Sequence, residues 1–240
     1  MWEWGPVDGL AERVELKVIV PEDAGRSLGI DPNAGQVRKV YFLDTSRRTL
    51  GLQGVIVRVR SVDRRADDAV VKLRPMVPRS VPRWLRHSDG FAVEIDALPG
   101  RNVCSGALKI RLGRHEVARA VEAGQPLTGL LSGRQRRLLA LYAPVRERDL
   151  QTFGPIEVRR HKLAIPRLDR PLTVEHWTYP DGTTLLEVSA RCRVRDARLV
   201  ARRLSAELRA RDITPASSQR TKTEMALTTR GTAPASAYRD

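Results

Sequence analysis

The stretch Val55-Ile56-Val57-Arg58-Val59-Arg60 gives valine to one parity of its positions and places Arg58 and Arg60 on the other. Alternation has the period of a β-strand, whose successive side chains point to opposite faces. The same two-sided pattern recurs along the chain. Val14-Glu15-Leu16-Lys17-Val18 sets Glu15 and Lys17 on one face, Val71-Lys72-Leu73-Arg74 sets Lys72 and Arg74, and Phe91-Ala92-Val93-Glu94-Ile95-Asp96 sets Glu94 and Asp96. Arg160 with Lys162, Glu175 and Glu187 continue it. Strands are predicted near residues 13–20, 37–44, 53–61, 69–75, 91–97, 155–163, 171–179 and 183–190. Ser46-Arg47-Arg48 is read as a turn before a strand and Pro180-Asp181-Gly182 as a hairpin turn, so neighbouring strands are expected to run antiparallel.

Helical spacing is predicted for Gly106 to Ala123, Ser132 to Tyr142 and Asp196 to Arg211, with Asp196 as N-cap and Ala197, Val200, Leu204 and Leu208 on one face of the last. Pro75 to Arg86 reads as loop and the tail after Thr228 as disorder. No repeat or linker divides the chain, which gives one domain over residues 1–228 and a tail over 229–240.

Composition narrows the function. With 43 Lys and Arg against 28 Asp and Glu the formal charge is +15, which calls for an anionic partner such as a polyphosphate, a nucleic acid or a membrane surface. Hydrophobic residues at 41% and charged residues at 30% of the 240 exclude a disordered or membrane-spanning class. Cys104 and Cys192 form no CxxC pair, so a disulfide scaffold or zinc ribbon is excluded. The first residues lack the pattern of a signal peptide, and a cytoplasmic protein that engages no membrane is expected. His87, His115, His161 and His176 have no metal-binding spacing, the four tryptophans are too dispersed for base stacking, and no P-loop motif occurs.

Alternation leaves two readings of the charged strand face. It is either the solvated side of an open antiparallel sheet or the inner wall of a closed barrel. Mid-strand charges of both signs, with few neutral polar residues, are unusual for a solvated face, but the pattern alone leaves both readings open. Cations in a lumen hold phosphate, and carboxylates beside them make sense when a divalent cation sits between.

Several motifs in order resemble the CYTH superfamily, the triphosphate tunnel metalloenzymes, which include class IV adenylyl cyclases, thiamine triphosphatases and inorganic triphosphatases. Arg13-Val14-Glu15-Leu16-Lys17 is similar to the family's ExExK opening with its first Glu replaced. Tyr41-Phe42-Leu43-Asp44-Thr45 with Leu50 is similar to its YxDTxxxxL segment with one extra residue between the Tyr and the Asp. The pairs Arg58/Arg60 and Lys72/Arg74, then Glu94, then Tyr179-Pro180-Asp181-Gly182 before Leu186-Glu187-Val188-Ser189, and finally Lys222-Thr223-Glu224 follow in family order. The resemblance spans about residues 12 to 228.

The resemblance implies an α+β fold, a closed eight-stranded antiparallel β-barrel forming a tunnel with helices packed outside. It assigns Lys17, Arg58, Arg60, Lys72, Arg74, Arg160 and Lys162 to phosphate oxygens, with Lys222 reaching the tunnel mouth. Glu15, Glu94, Asp96, Glu175 and Glu187 are the implied ligands of Mg²⁺ or Mn²⁺, and Glu15, Lys17 and Glu187 the implied catalytic groups. Arg13 replaces one acid and Ser189 another, so loss of a second metal site is expected, with Arg13 either repelling an ion or serving as a further phosphate ligand. The implied activity is metal-dependent hydrolysis of inorganic triphosphate or of a nucleoside or thiamine triphosphate. Adenylyl cyclisation, and binding of polyphosphate or nucleotide without catalysis, are the alternatives. Nucleic acid, tracked by Arg79, Arg83, Arg86 and the cluster Arg134, Arg136 and Arg137, is the competing partner class.

Overall fold

The computed structural model describes residues 11–219 and 222–228. Among them nine strands close into one barrel: β1 (Arg13–Val20), β2 (Gln36–Asp44), β3 (Val55–Val62), β4 (Asp68–Leu73), β5 (Phe91–Leu98), β6 (Arg101–Arg111), β7 (Gln151–Leu163), β8 (Leu172–Thr178) and β9 (Thr184–Arg193). Their spatial order is β1-β5-β6-β4-β3-β2-β7-β8-β9, and β9 returns to β1. All neighbours are antiparallel except β1 and β5, which run parallel with Arg13 opposite Glu94 and Glu15 opposite Asp96.

The expectation of eight antiparallel strands is therefore corrected twice. The segment from Gly106, read as the start of a helix, is the second half of β6. Its alternation is masked because the positions that share the lumen's parity include the small Ser105 and Ala107. A β-carbon on Gly106 would lie 2.4 Å from the Met76 sulfur and 2.9 Å from the Phe91 ring, so a close approach in the sheet, rather than a helix break, accounts for that glycine. The second correction is the parallel β1–β5 pair, since a period of two is the same for either strand direction.

Among the described residues there are also seven α-helices: α1 (Ala24–Ser27), α2 (Thr49–Leu52), α3 (Arg83–Arg86), α4 (Glu116–Glu122), α5 (Gly133–Tyr142), α6 (Ala197–Ala210) and α7 (Lys222–Thr228). The outward valines and leucines of β1, β5, β8 and β9 pack with Ala197, Ala201, Leu204 and Leu208 of α6. Those of β2, β3, β4 and β6 pack with α4 and α5. Gln135 of α5 is fully buried and donates to the carbonyls of Ala69 and Leu108, both at 3.0 Å, which pins that helix on β4 and β6. α5 opens with a capping box between Ser132 and Gln135, whereas Asp196, expected to cap α6, makes no capping hydrogen bond because its own backbone is already helical.

The turn Ser46-Arg47-Arg48 leads into α2 rather than directly into a strand. Asp44 fixes that corner: its carboxylate accepts from the backbone N–H of Thr45 (2.7 Å), Leu50 (2.8 Å) and Gly51 (3.0 Å) while Leu50 is sealed beneath. The extra residue between Tyr41 and Asp44 coincides with a register shift between Val40 and Phe42. Pro75 to Arg86 is ordered, with a 3₁₀ turn, α3, and Met76, Val81 and Leu85 buried. The expected tail over 229–240 lies outside the described residues.

Candidate functional site

Inward positions divide the lumen into two parts. Ile19, Val40, Phe42, Ile156, Val158 and Trp177, with Ala226 of α7, form an apolar cluster. The remainder is a cavity of about 1190 Å³ lined by fifteen Lys and Arg side chains and six carboxylates, so it carries excess positive charge. Alternate residues of successive strands supply it, which is why the charged parity is legible in the sequence. Arg13, Glu15, Lys17, Arg58, Arg60, Lys72, Arg74, Glu94, Arg160, Glu175, Glu187 and Lys222 all line it.

Four ion-pair groups organise these charges. Asp96, with no exposed side-chain surface, lies 2.6 Å from Lys17 Nζ, 2.7 Å from Lys72 Nζ and 3.5 Å from Arg74 Nε. Arg191 Nη2 sits 3.4 Å from Glu15 and 3.3 Å from Glu94, and Lys17 reaches the other Glu15 oxygen at 2.9 Å. Lys222 Nζ bridges Glu175 (2.6 Å) and Glu187 (2.7 Å), residues directly opposite each other on β8 and β9. Arg60 grips Asp68 with two hydrogen bonds of 2.8 Å, and Lys109 joins at 3.2 Å.

Arg58 stands apart. No carboxylate lies within 4 Å of it among the described residues, and its Nε is sealed from solvent without a hydrogen-bond partner. Burial and the neighbouring Arg60 pull its guanidinium down to about 10, which leaves it charged at neutral pH. A buried polar group without a partner is costly, and this one faces a cavity.

The carboxylates differ in how well they are compensated. Burial opposes ionisation of Glu15, yet Lys17 and Arg191 hold it at about 2. Burial is likewise outweighed at Asp96 by Lys17, Lys72 and Arg74, and at Glu175 by Lys222, Arg38 and Arg160, so both fall below the usual carboxylate range. At Glu187 burial prevails over Lys222 and Lys17 and the carboxyl is raised.

No group of three His, Cys, Asp or Glu side chains converges among the described residues. The five carboxylates implied as metal ligands are instead dispersed over three cation-bearing groups. Mg²⁺ needs only one or two carboxylates when phosphate oxygens and water complete its shell. Glu187 and Glu175 supply two carboxylates, but Lys222 Nζ lies between them, so an ion held there would have to displace that ammonium.

Three implied positions differ from expectation. Lys162 does not line the cavity; its Nζ donates to Thr173 Oγ1 at 2.6 Å. Lys222 is held inside by Glu175 and Glu187 rather than at the mouth. Asp96 is beneath the cavity wall, where it anchors cations. Arg13 lines the cavity but is exposed.

Sequence reasoning missed Arg38, Asp68, Lys109 and Arg191, all of which line the lumen. Arg191 continues the Glu187, Ser189 alternation past the expected strand end, so that pattern could have found it. Lys109 was hidden in the misread β6, and Arg38 beside Lys39, where charge falls on both parities. The competing arginine cluster is engaged in structure: Arg137 stacks 4.5 Å over Trp84 and Arg136 pairs with Glu147 at 2.9 Å.

The closed barrel is the fold of CYTH-type solved structures, and this chain has that fold. Solved structures with this fold include a proposed adenylate cyclase from Bacillus halodurans, with a TM-score of 0.60 at 14% identity over 90% of this chain and 97% of that one. A proposed adenylyl cyclase from Hippeastrum with a dominant triphosphatase activity gives a TM-score of 0.57 at 17% identity over 89% and 94%. At these identities the likeness is one of fold. No family model matches the sequence, and no curated protein matches it. No helix among the described residues is long and apolar enough to cross a membrane.

Proposed function

We propose that the lumen binds the triphosphate group of inorganic triphosphate or of a nucleoside or thiamine triphosphate, and that the protein is a divalent-metal-dependent phosphohydrolase. The observation that carries this reading is Arg58, a guanidinium aimed into a basic cavity without a carboxylate partner. A phosphate chain carrying about four negative charges supplies the missing anion. Arg58, Arg60, Arg74 and Arg160 offer planar forks to its oxygens, and Lys17 and Lys72 offer point charges set by Asp96. Glu187, with Glu175, would hold Mg²⁺ or Mn²⁺. When bound, such an ion offsets charge on the phosphoryl oxygens and acidifies a water.

The test is a screen of the purified chain against tripolyphosphate, ATP and thiamine triphosphate in EDTA, Mg²⁺ and Mn²⁺, with phosphate and cyclic nucleotide separated chromatographically. Divalent-dependent phosphate release is expected. In Glu187→Gln that release should fall while tripolyphosphate binding in EDTA is retained. Cyclic nucleotide as the main product would replace hydrolysis with cyclisation, and no turnover under any condition would remove the enzyme reading.

A further inference from the structure

We infer that the end of the lumen away from α7 carries a second anion-binding zone, a rim of Arg64, Arg65, Arg111 and Arg114, which selects linear polyphosphates longer than tripolyphosphate over triphosphates that end in a nucleoside or thiamine. This rests on the phosphate-binding reading above and names the substrate class within it.

The two ends of the cavity differ in chemistry. At one end Ile19, Phe42 and Trp177 are packed with Ala226 of α7, and Lys222 Nζ lies 4.9 Å from the centroid of the Trp177 ring. Strand register carries the cationic wall toward the other end. Arg60 faces Asp68 across β3 and β4, and Asp68 faces Arg111 across β4 and β6, so the β3–β4 turn and the segment after β6 lie side by side there. Arg64 and Arg65 sit in the turn, Arg111 ends β6 and Arg114 follows it. All four are exposed, yet they line the same cavity as Arg58 and Lys72.

A buried carboxylate ties these two segments together. The Asp67 oxygens accept from the backbone N–H of Val62 and of Val117, each at 2.9 Å, and its carbonyl accepts from the N–H of Leu112, also at 2.9 Å. Asp67 therefore fixes the rim without pairing with its arginines. Asp68 is engaged by Arg60 and Lys109, and Asp63 lies 3.5 Å from Arg64. Arg65, Arg111 and Arg114 have no ion-pair partner within 4 Å among the described residues. Deeper in, Arg58, Arg74 and Arg160 each keep one sealed nitrogen without a hydrogen-bond partner, so unsatisfied cationic donors run from the interior to the rim.

Whatever follows the third phosphate meets this rim. The thiazolium of thiamine is cationic and is repelled there. A nucleoside base gains from an aromatic stacking surface, but the aromatic side chains lining the cavity, Phe42 and Trp177, belong to the apolar cluster at the opposite end. The bases of a triphosphorylated RNA meet the same lack. Further phosphates each add about one negative charge and oxygens suited to guanidinium forks.

Calorimetric titration of the full chain in EDTA with tripolyphosphate, a longer linear polyphosphate of defined length, thiamine triphosphate and a 5′-triphosphorylated oligonucleotide tests the assignment. The longer polyphosphate is expected to bind about tenfold or more tighter than tripolyphosphate, and to weaken more steeply with salt. Thiamine triphosphate is expected to bind more weakly than tripolyphosphate. In a chain carrying Arg65→Gln, Arg111→Gln and Arg114→Gln, the gain from added phosphates should vanish while tripolyphosphate affinity stays within about twofold. That variant also isolates the rim from the greater number of registers open to a longer chain. Equal affinity for the two phosphate chains, a length preference that survives in the Gln variant, or tighter binding of the oligonucleotide than of polyphosphate overturns the inference. If the triple variant does not fold, Arg65→Gln and Arg114→Gln decide singly, each lowering only the affinity for the longer chain. Absence of tripolyphosphate binding to the unaltered chain defeats the phosphate reading itself, whereas tripolyphosphate binding without any effect of length or rim defeats this inference alone.

Discussion

Arg58 shows how a residue can work against stability and for function. Its charge is away from bulk water without a carboxylate beside it, whereas Arg60 on the same strand face is locked to Asp68. Arg58→Met removes a charge that has no ion-pair partner within 4 Å among the described residues, although Asp68 and Glu175 act on it from further away, and keeps most of the side-chain volume. We expect the variant to melt higher, by the few degrees that about 1 kcal/mol produces in a chain of this size, as read by calorimetry. Tripolyphosphate affinity should fall by roughly tenfold to a hundredfold, the loss of a charged hydrogen bond worth about 1.5 to 3 kcal/mol. A variant that melts higher and binds equally well would take Arg58 out of the site. The position was legible in the sequence because Val57 and Val59 bracket it on the opposite face. Its lack of a partner was not, since which carboxylate meets which cation depends on neighbouring strands.

At the scale of elements, the corner from β2 through α2 turns on one carboxylate. Asp44 is buried at 1% exposure and accepts three backbone hydrogen bonds that otherwise leave N–H groups unsatisfied. Asp44→Ala is expected to cost about 2 to 4 kcal/mol, seen as a lower urea midpoint with an unchanged slope. A loss under about 0.5 kcal/mol would mean that the corner is held by Leu50 alone. This element was readable as an Asp-Thr motif, and its hydrogen bonds explain the spacing from Asp44 to Leu50. β6 was not readable, because Gly106, Ala107 and Leu108 carry little alternation and a true helix, α4, follows closely. The parallel β1–β5 contact was likewise hidden, and with it the approach of Arg191 to Glu94.

Over the whole molecule, opposite charges neutralise each other inside a barrel whose net charge remains positive, and this couples stability to pH. Glu15 is held at about 2 against an ordinary value of 4.5, so its contribution is fully present above about pH 4.5 and is lost as pH falls toward 2. Glu175 and Asp96 are depressed and act in the same direction, while the raised Glu187 acts in the opposite one. Glu15→Gln should flatten the acid limb of the stability curve by roughly 2 to 3 kcal/mol between those limits, measured by denaturant titration across pH. An unchanged limb would show that Glu15 is not paired in solution as it is in the structure. The central claim, that this lumen is an anion site for a phosphate chain, is tested most directly by calorimetric titration of tripolyphosphate in EDTA into the unaltered chain, Lys72→Ala, and a variant with Arg134 and Arg137 both changed to Ala. One site per chain is expected, weakened about tenfold or more in Lys72→Ala and unchanged in the outer-surface variant. Binding that ignores Lys72 and disappears with Arg134 and Arg137 would place the anion outside the barrel and contradict the account.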